Sequence, residues 1–241
     1  MLRIWLSSLI LLVATLNQGC TPYNAPIVNL EQPPSQLIET HLVEEGESLY
    51  SIAWRYDFNV KDLARINRLS EPYRLRKGQV LNLDKDSKIK FKPQAKITAP
   101  KIVERPQVNP KKSTVSDSLV KLSGKKLRWQ KPIEGKIIEA YNPKDLRKGI
   151  IFQALAGSSV KSAAQGVVVY AGDGLRDYGK LVIIKHSDYL LSAYGHNQKI
   201  LVKEGQVVDG SKIISKLGSN GRLYFEIRKD GKPINPMAYI K

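Results

Sequence analysis

From Gly221 to Arg228 the chain reads Gly-Arg-Leu-Tyr-Phe-Glu-Ile-Arg, and the alternation within it leaves little choice of fold. In an extended strand Leu223, Phe225 and Ile227 point to one side, while Arg222, Tyr224 and Glu226 point to the other. One side is a core and the other is the floor of a cleft. Earlier segments repeat this grammar. Val167-Val168-Val169-Tyr170, bounded by Gly166 and Gly172, reads as a strand buried on both faces. Tyr178–His186 predicts another strand and Leu190–Tyr194 its partner, with Ser192, Tyr194 and His196 on one face. Gly205, Gly210 and Gly218 punctuate the remainder, and helical periodicity is scarce. Residues 128–241 therefore predict an all-β domain of stacked antiparallel sheets.

A second patterned block covers residues 41–84. His41-Leu42-Val43 reads as a short strand and Gly46 as a turn, and Ser48 is placed to cap a helix. Leu49, Ile52, Ala53 and Tyr56 then form one apolar stripe at helical spacing. Asn59 can cap a second helix whose buried side is Val60, Leu63 and Ile66. Lys77–Leu83 turns and returns as a strand. The result is a βααβ module of about 45 residues, close to the smallest size that folds without staples. His41 falls at a strand start and His186 at a turn, and neither is assigned catalysis.

The amino terminus has its own logic. A short positive start is followed by an apolar run, Ile4 to Leu16, shorter than the ~20 residues that span a bilayer. The run ends at Leu16-Asn17-Gln18-Gly19-Cys20, which resembles a bacterial lipoprotein signal. Residues 1–19 are then a signal peptide, and Cys20 is the lipidated residue, anchoring the chain to the periplasmic face of the outer membrane. Cys20 is the only cysteine, so no internal disulfide can form. Residues 20–40, rich in Pro, Asn and Gln, read as a disordered tether, and 85–127, rich in Lys and Pro, as a basic disordered linker. The net charge of +17 favours polyanions. With an export signal in front of it, nucleic acid is excluded as a partner, and the charge either solvates the linker or adheres weakly to acidic wall polymers and headgroups.

Two resemblances are carried by quoted residues. Gly46-Glu47-Ser48-Leu49, Asn67 and Gly78-Gln79 resemble the LysM family, which implies binding of N-acetylglucosamine-containing peptidoglycan glycan through Gly46, Glu47, Ser48, Leu69, Ser70, Glu71 and Pro72. Residues 128–241 resemble the lysostaphin-type (LytM) zinc peptidases. That family carries a His-x-x-x-Asp motif and a His-x-His pair, and the resemblance places them at Arg147 to Ile151 and at Arg222 to Tyr224. His196 is kept, and the resemblance implies that it assists catalysis without binding metal. No metal or other cofactor is expected, since two guanidiniums would repel a divalent cation; Asp145, Glu226 and His196 are the donors that could still gather one.

The cleft formed by Arg147, Lys148, Tyr194, His196, Arg222, Tyr224 and Glu226 has the composition of a protein-binding surface. The whole architecture resembles the murein hydrolase activator lipoproteins of Gram-negative bacteria, and its altered motifs resemble a related branch of activators without LysM. The resemblance implies a non-enzyme that binds a periplasmic N-acetylmuramoyl-L-alanine amidase, promoting septal peptidoglycan splitting and daughter-cell separation. The alternatives are a zinc-dependent peptidoglycan endopeptidase and a passive wall tether.

Overall fold

The computed structural model describes residues 38–85 and 127–240. The expected signal peptide, Cys20, and most of the tether and of the basic linker lie outside the described residues.

In the first module Thr40–Leu42 (β1) pairs antiparallel with Val80–Asn82 (β2), His41 facing Leu81. Leu49–Arg55 (α1) and Val60–Ile66 (α2) run between them. Ser48 caps α1 as the sequence predicts. Its Oγ accepts the Ser51 N–H at 3.2 Å while Ser51 Oγ accepts the Ser48 N–H at 3.0 Å, a capping box closed by serine where glutamate is usual. Asn59 Oδ1 accepts the Lys61 N–H at 2.8 Å to start α2. Each cap is worth about 1 kcal/mol. Leu49, Ile52, Ala53, Leu63, Ile66 and Leu81 make the buried centre. Tyr56 is only half-buried, its hydroxyl 3.0 Å from His41 Nδ1. Trp54, outside the predicted stripe, is among the most buried side chains of the molecule.

The second domain contains ten strands: Lys136–Glu139 (β3), Ile150–Gln153 (β4), Ser159–Lys161 (β5), Gly166–Gly172 (β6), Lys180–Lys185 (β7), Leu190–Ile200 (β8), Val207–Val208 (β9), Ile213–Leu217 (β10), Arg222–Lys229 (β11) and Lys232–Ile234 (β12). They form one branched antiparallel sheet in the order β3-β4-β11-β8-β7-β6-β9, with β10 bridging β5 and β8 and β12 added to β11. The domain is all-β as expected, its strands joined by hydrogen bonds into one antiparallel sheet. One buried cluster on it holds Ile150, Phe152, Val168, Val182, Ile184, Tyr194, Leu223, Phe225 and Ile227. Burying each of the aliphatic or phenyl groups stabilises the fold by about 1.5–3 kcal/mol.

The outer face is not left to solvent. Tyr170 of β6, Leu181 and Ile183 of β7 and Ala193 of β8 join one apolar cluster with Trp54, Phe58, Val60 and Leu63 of the first module. The small module sits on the sheet, and the two share a core.

His186 is more than a turn residue. It is fully enclosed, with its ring 4.7 Å from that of Trp129. The Gln165 carbonyl, 2.7 Å from Nδ1, can only accept, so Nδ1 carries the proton and Nε2 accepts from Ser192 Oγ at 2.7 Å. Burial, partly offset by the Gln165 carbonyl, pushes its pKa down to about 4. The unfolded chain binds this proton near pH 6.5, so stability is complete above that value and falls as pH drops toward 4, by about 3 kcal/mol in all. Denaturant unfolding at pH 7 and pH 4.5 should show that fall, and His186→Gln should flatten it. Equal slopes in the two proteins would contradict the assignment.

Candidate functional site

Tyr224 stands at the centre of the sheet's outer face. Its cross-strand neighbours are Ile151 of β4 and Gly195 of β8. Two glycines make room for the ring. A Cβ at Gly149 would lie 2.8 Å from the Tyr224 ring, and one at Gly195 would lie 3.4 Å from Tyr224 Cβ. Tyr178 meets the same ring edge-on at 5.3 Å, and His196 lies 5.9 Å from it. The four positions matched to metal ligands are thus only partly assembled: Ile151 and Tyr224 are adjacent, while Arg147 and Arg222 turn to partners of their own.

Those partners change the electrostatics. Arg147 Nη2 lies 2.7 Å from Asp145 Oδ2, and Arg222 donates to Glu139, which faces Ile151 across β3 and β4. Each guanidinium is matched by a carboxylate, so the repulsion expected from charge count alone is largely cancelled. Donor chemistry decides the question instead. A guanidinium has no lone pair to give and isoleucine has no donor atom. The Tyr224 hydroxyl donates to Glu226 Oε2 at 2.6 Å, and burial together with the Glu226 charge drives its pKa far upward. Zinc takes three or four N, S or O ligands, and the residues present do not fit it. Asp145 and Glu226 are committed to Arg147 and to Arg228 and Tyr224. Among the described residues no group of three or more His, Cys, Asp or Glu could hold a metal ion.

Tyr194 departs from its expected place in the cleft. It points into the core, where its hydroxyl accepts the Ala163 N–H at 2.8 Å and meets Ser192 Oγ at 2.9 Å. His196 has a left-handed backbone, φ 62°, which breaks the alternation of β8 and puts its side chain on the opposite face from Tyr194. Burial and the nearby Arg222 charge lower the His196 pKa, opposed by a hydrogen bond with the Asp177 backbone.

The polar chain continues past the expected residues. Glu226 Oε1 accepts from Arg228 Nε at 2.6 Å, and both side chains are wholly buried. Burial raises the Glu226 pKa and the Arg228 charge opposes the rise. The Arg228 guanidinium then reaches the first module: it lies 3.9 Å from the Trp54 ring centre, donates to the Trp54 carbonyl at 2.8 Å and approaches Asp57 Oδ1 at 3.0 Å. Asp57 Oδ2 also accepts from Lys148, which returns the chain to β4 beside Gly149. Arg228, Trp54, Asp57 and Glu139 were not among the expected site residues. Arg228 carried a signal, because it continues the polar phase of β11 after Arg222, Tyr224 and Glu226.

The expected glycan contacts divide. Ser70, Glu71 and Pro72 are exposed. Ser48 Oγ lies 3.4 Å from the Val169 carbonyl of the sheet, and the Glu47 carboxylate is enclosed by His41 at 2.6 Å and Arg55 at 2.8 Å. Burial alone would raise the Glu47 pKa, but hydrogen bonds from the Glu44 N–H and His41 with the His41 and Arg55 charges bring it below its ordinary value.

Two outcomes follow from this chemistry. Excess zinc should leave the melting temperature unchanged, and a rise of several degrees would reveal a site that binds the folded state. Arg228→Met should cost about 3–5 kcal/mol because it strands the buried Glu226 charge. Adding Glu226→Gln should recover much of the loss, whereas additive losses in denaturant melts would show that the pair is not coupled.

Comparison with known proteins places this geometry. Residues 145–236 match Peptidase family M23 and residues 41–84 match the LysM domain. The chain is 33% identical over 273 residues to outer membrane antigenic lipoprotein B of Haemophilus influenzae, covering 90% of this chain and 67% of the relative. It is 35% identical over 226 residues to the lipoprotein NlpD/LppB homolog of Pseudomonas aeruginosa, covering 83% and 76%. It is 31% identical over 279 residues to the murein hydrolase activator NlpD of Salmonella typhimurium, covering 93% and 74%. With identity extending over most of its length, the chain, which carries a LysM domain followed by a Peptidase family M23 domain, belongs to the NlpD/LppB family of bacterial lipoproteins.

Proposed function

We propose that the protein is a non-catalytic, peptidoglycan-binding lipoprotein that activates a periplasmic N-acetylmuramoyl-L-alanine amidase through its metal-free M23 groove. The observation that carries this reading is the state of β11. The strand that holds a histidine pair in zinc peptidases of this type here holds Arg222, tied to Glu139, and Tyr224, tied to Glu226. Such a site has no metal-activated water to offer, yet its outward chemistry of arginine, lysine, tyrosine and histidine suits contact with another protein. The relative named murein hydrolase activator points the same way.

In this reading the groove binds the amidase in its open form more tightly than in its closed form, and the difference in affinity sets the size of the activation. The amidase's own zinc cleaves the wall, and septal splitting and daughter-cell separation follow. The LysM module holds the activator on glycan through its Leu69–Pro72 loop and, when accessible, through Gly46, Glu47 and Ser48. Cys20 carries the lipid that retains the protein at the periplasmic face of the outer membrane. Enrichment at the division septum follows from where the amidase acts.

Dye release from labelled sacculi tests the proposal. The protein alone should release nothing with or without zinc, and a periplasmic amidase should release dye many-fold faster when the protein is added. Arg222→Glu should lower that stimulation by about tenfold, the loss expected when an interface anchor is replaced by a repelling charge. Release by the protein alone would favour an endopeptidase, and an unchanged amidase rate would favour a passive tether.

A further inference from the structure

The face of the sheet that carries Tyr224 is the face on which the LysM module sits. Cross-strand register fixes this: Tyr224, Glu226 and Arg228 of β11 lie opposite Gly195, Ala193 and Leu191 of β8, and Ala193 lies opposite Ile183 of β7. Ala193 and Ile183 are buried in the cluster shared with the module. The loop between α1 and α2 brings Asp57 to the rim of the Tyr224 site, where its carboxylate is held by Lys148 and by Arg228. At the other edge Gly231, in the β11–β12 turn, is pressed on the backbone of Phe58 and Asn59; a Cβ there would lie 2.5 Å from the Asn59 nitrogen.

We infer that the LysM module is a removable occupant of the groove, and that the Lys148–Arg228 seat filled by Asp57 receives an acidic side chain of the partner hydrolase when the module leaves. This inference rests on the activator reading and supplies its regulation and the chemistry of its partner. Two features support it. The seat is cationic, and Lys148 and Asp57 are each about 40% exposed, so an incoming carboxylate can meet Lys148 first, while Arg228, 1% exposed, becomes reachable as the module leaves. Several of the module's holds on the sheet are charged and open to solvent: Lys148 to Asp57, Lys61 to Asp188 at 3.0 Å, and Arg55 to the Gly174 carbonyl at 2.8 Å. Contacts of this kind are weak singly and screened by salt.

Masking is mutual. In the docked state Ser48 faces the Val169 carbonyl, so part of the expected glycan surface is covered along with the groove. A ligand that binds either covered surface favours the open state and thereby raises affinity at the other, by the reciprocity of linkage.

Two substitutions on opposite sides of the contact test this, each at a residue outside the buried apolar cluster that the domains share. Asp57→Asn removes the charge and keeps a residue that tolerates the φ of 54°. Gly231→Asn keeps a residue suited to its φ of 77° and drives a side chain into the Phe58–Asn59 backbone. Opening is read from the indole N–H resonance of Trp54 and its exchange with solvent, and affinity from titration of the full chain with a purified periplasmic N-acetylmuramoyl-L-alanine amidase. Both variants should expose Trp54 and tighten amidase binding, by about tenfold if the open form is a tenth or less of the parent protein. Adding Lys148→Ala to Gly231→Asn should weaken binding again. Trp54 equally protected in the parent and both variants would overturn the inference, as would equal amidase affinity in closed and opened proteins. Undiminished binding after Lys148→Ala would overturn the acidic seat. If Trp54 becomes exposed and no form binds the amidase, the activator reading fails and the partner chemistry with it, while the removable cover is upheld by the Trp54 result.

Discussion

A buried guanidinium organises this structure. Arg228 has almost no contact with solvent and is held on two domains, through Glu226 beside it on β11 and through the Trp54 ring, the Trp54 carbonyl and an ion pair with Asp57 of the LysM module. In the docked form an arginine in that position depends on these partners, since an unpaired buried charge costs several kcal/mol. Glu226 in turn holds the Tyr224 hydroxyl, and Tyr224 fills the space between Gly149 and Gly195. The same run of side chains that surrounds Tyr224 therefore also joins the two domains.

That linkage sets the character of the site. Simple loss of histidines would leave an open polar pocket. Here the replacements are paired: Arg222 with Glu139, Arg147 with Asp145, and Tyr224 with Glu226. Buried polar groups are costly unless satisfied; here each charge has an opposite charge beside it, although Arg222 Nε is left without a hydrogen-bond partner. The described cleft is charge-balanced, and its arginine, lysine and tyrosine side chains suit the recognition role proposed for it.

Much of the fold was legible in the sequence because it rests on local rules. The period-two alternation of 222–228, the glycine-bounded valine run and the Ser48 and Asn59 caps each follow from the geometry of one strand or one helix turn, and each appears as expected. Tyr194 was misplaced because alternation was carried through His196, whose left-handed backbone breaks it. The charge argument overestimated repulsion because Glu139 comes from a strand that pattern alone does not align with Arg222, and because Asp145, two residues before Arg147, was counted as a metal donor and not as its partner. Trp54, Asp57 and Arg228 were missed for a stronger reason: they lie in different domains, and neither periodicity nor composition records a contact between them.

Hydrogen–deuterium exchange on the full chain, with and without a periplasmic N-acetylmuramoyl-L-alanine amidase, bears most directly on the claim that the former catalytic face now works by contact. The account predicts that the amidase slows exchange in β11 and around Lys148 while exchange around Trp54 to Asn59 quickens, as one occupant replaces the other. Unchanged exchange in β11 in the presence of an amidase that is being stimulated would contradict it.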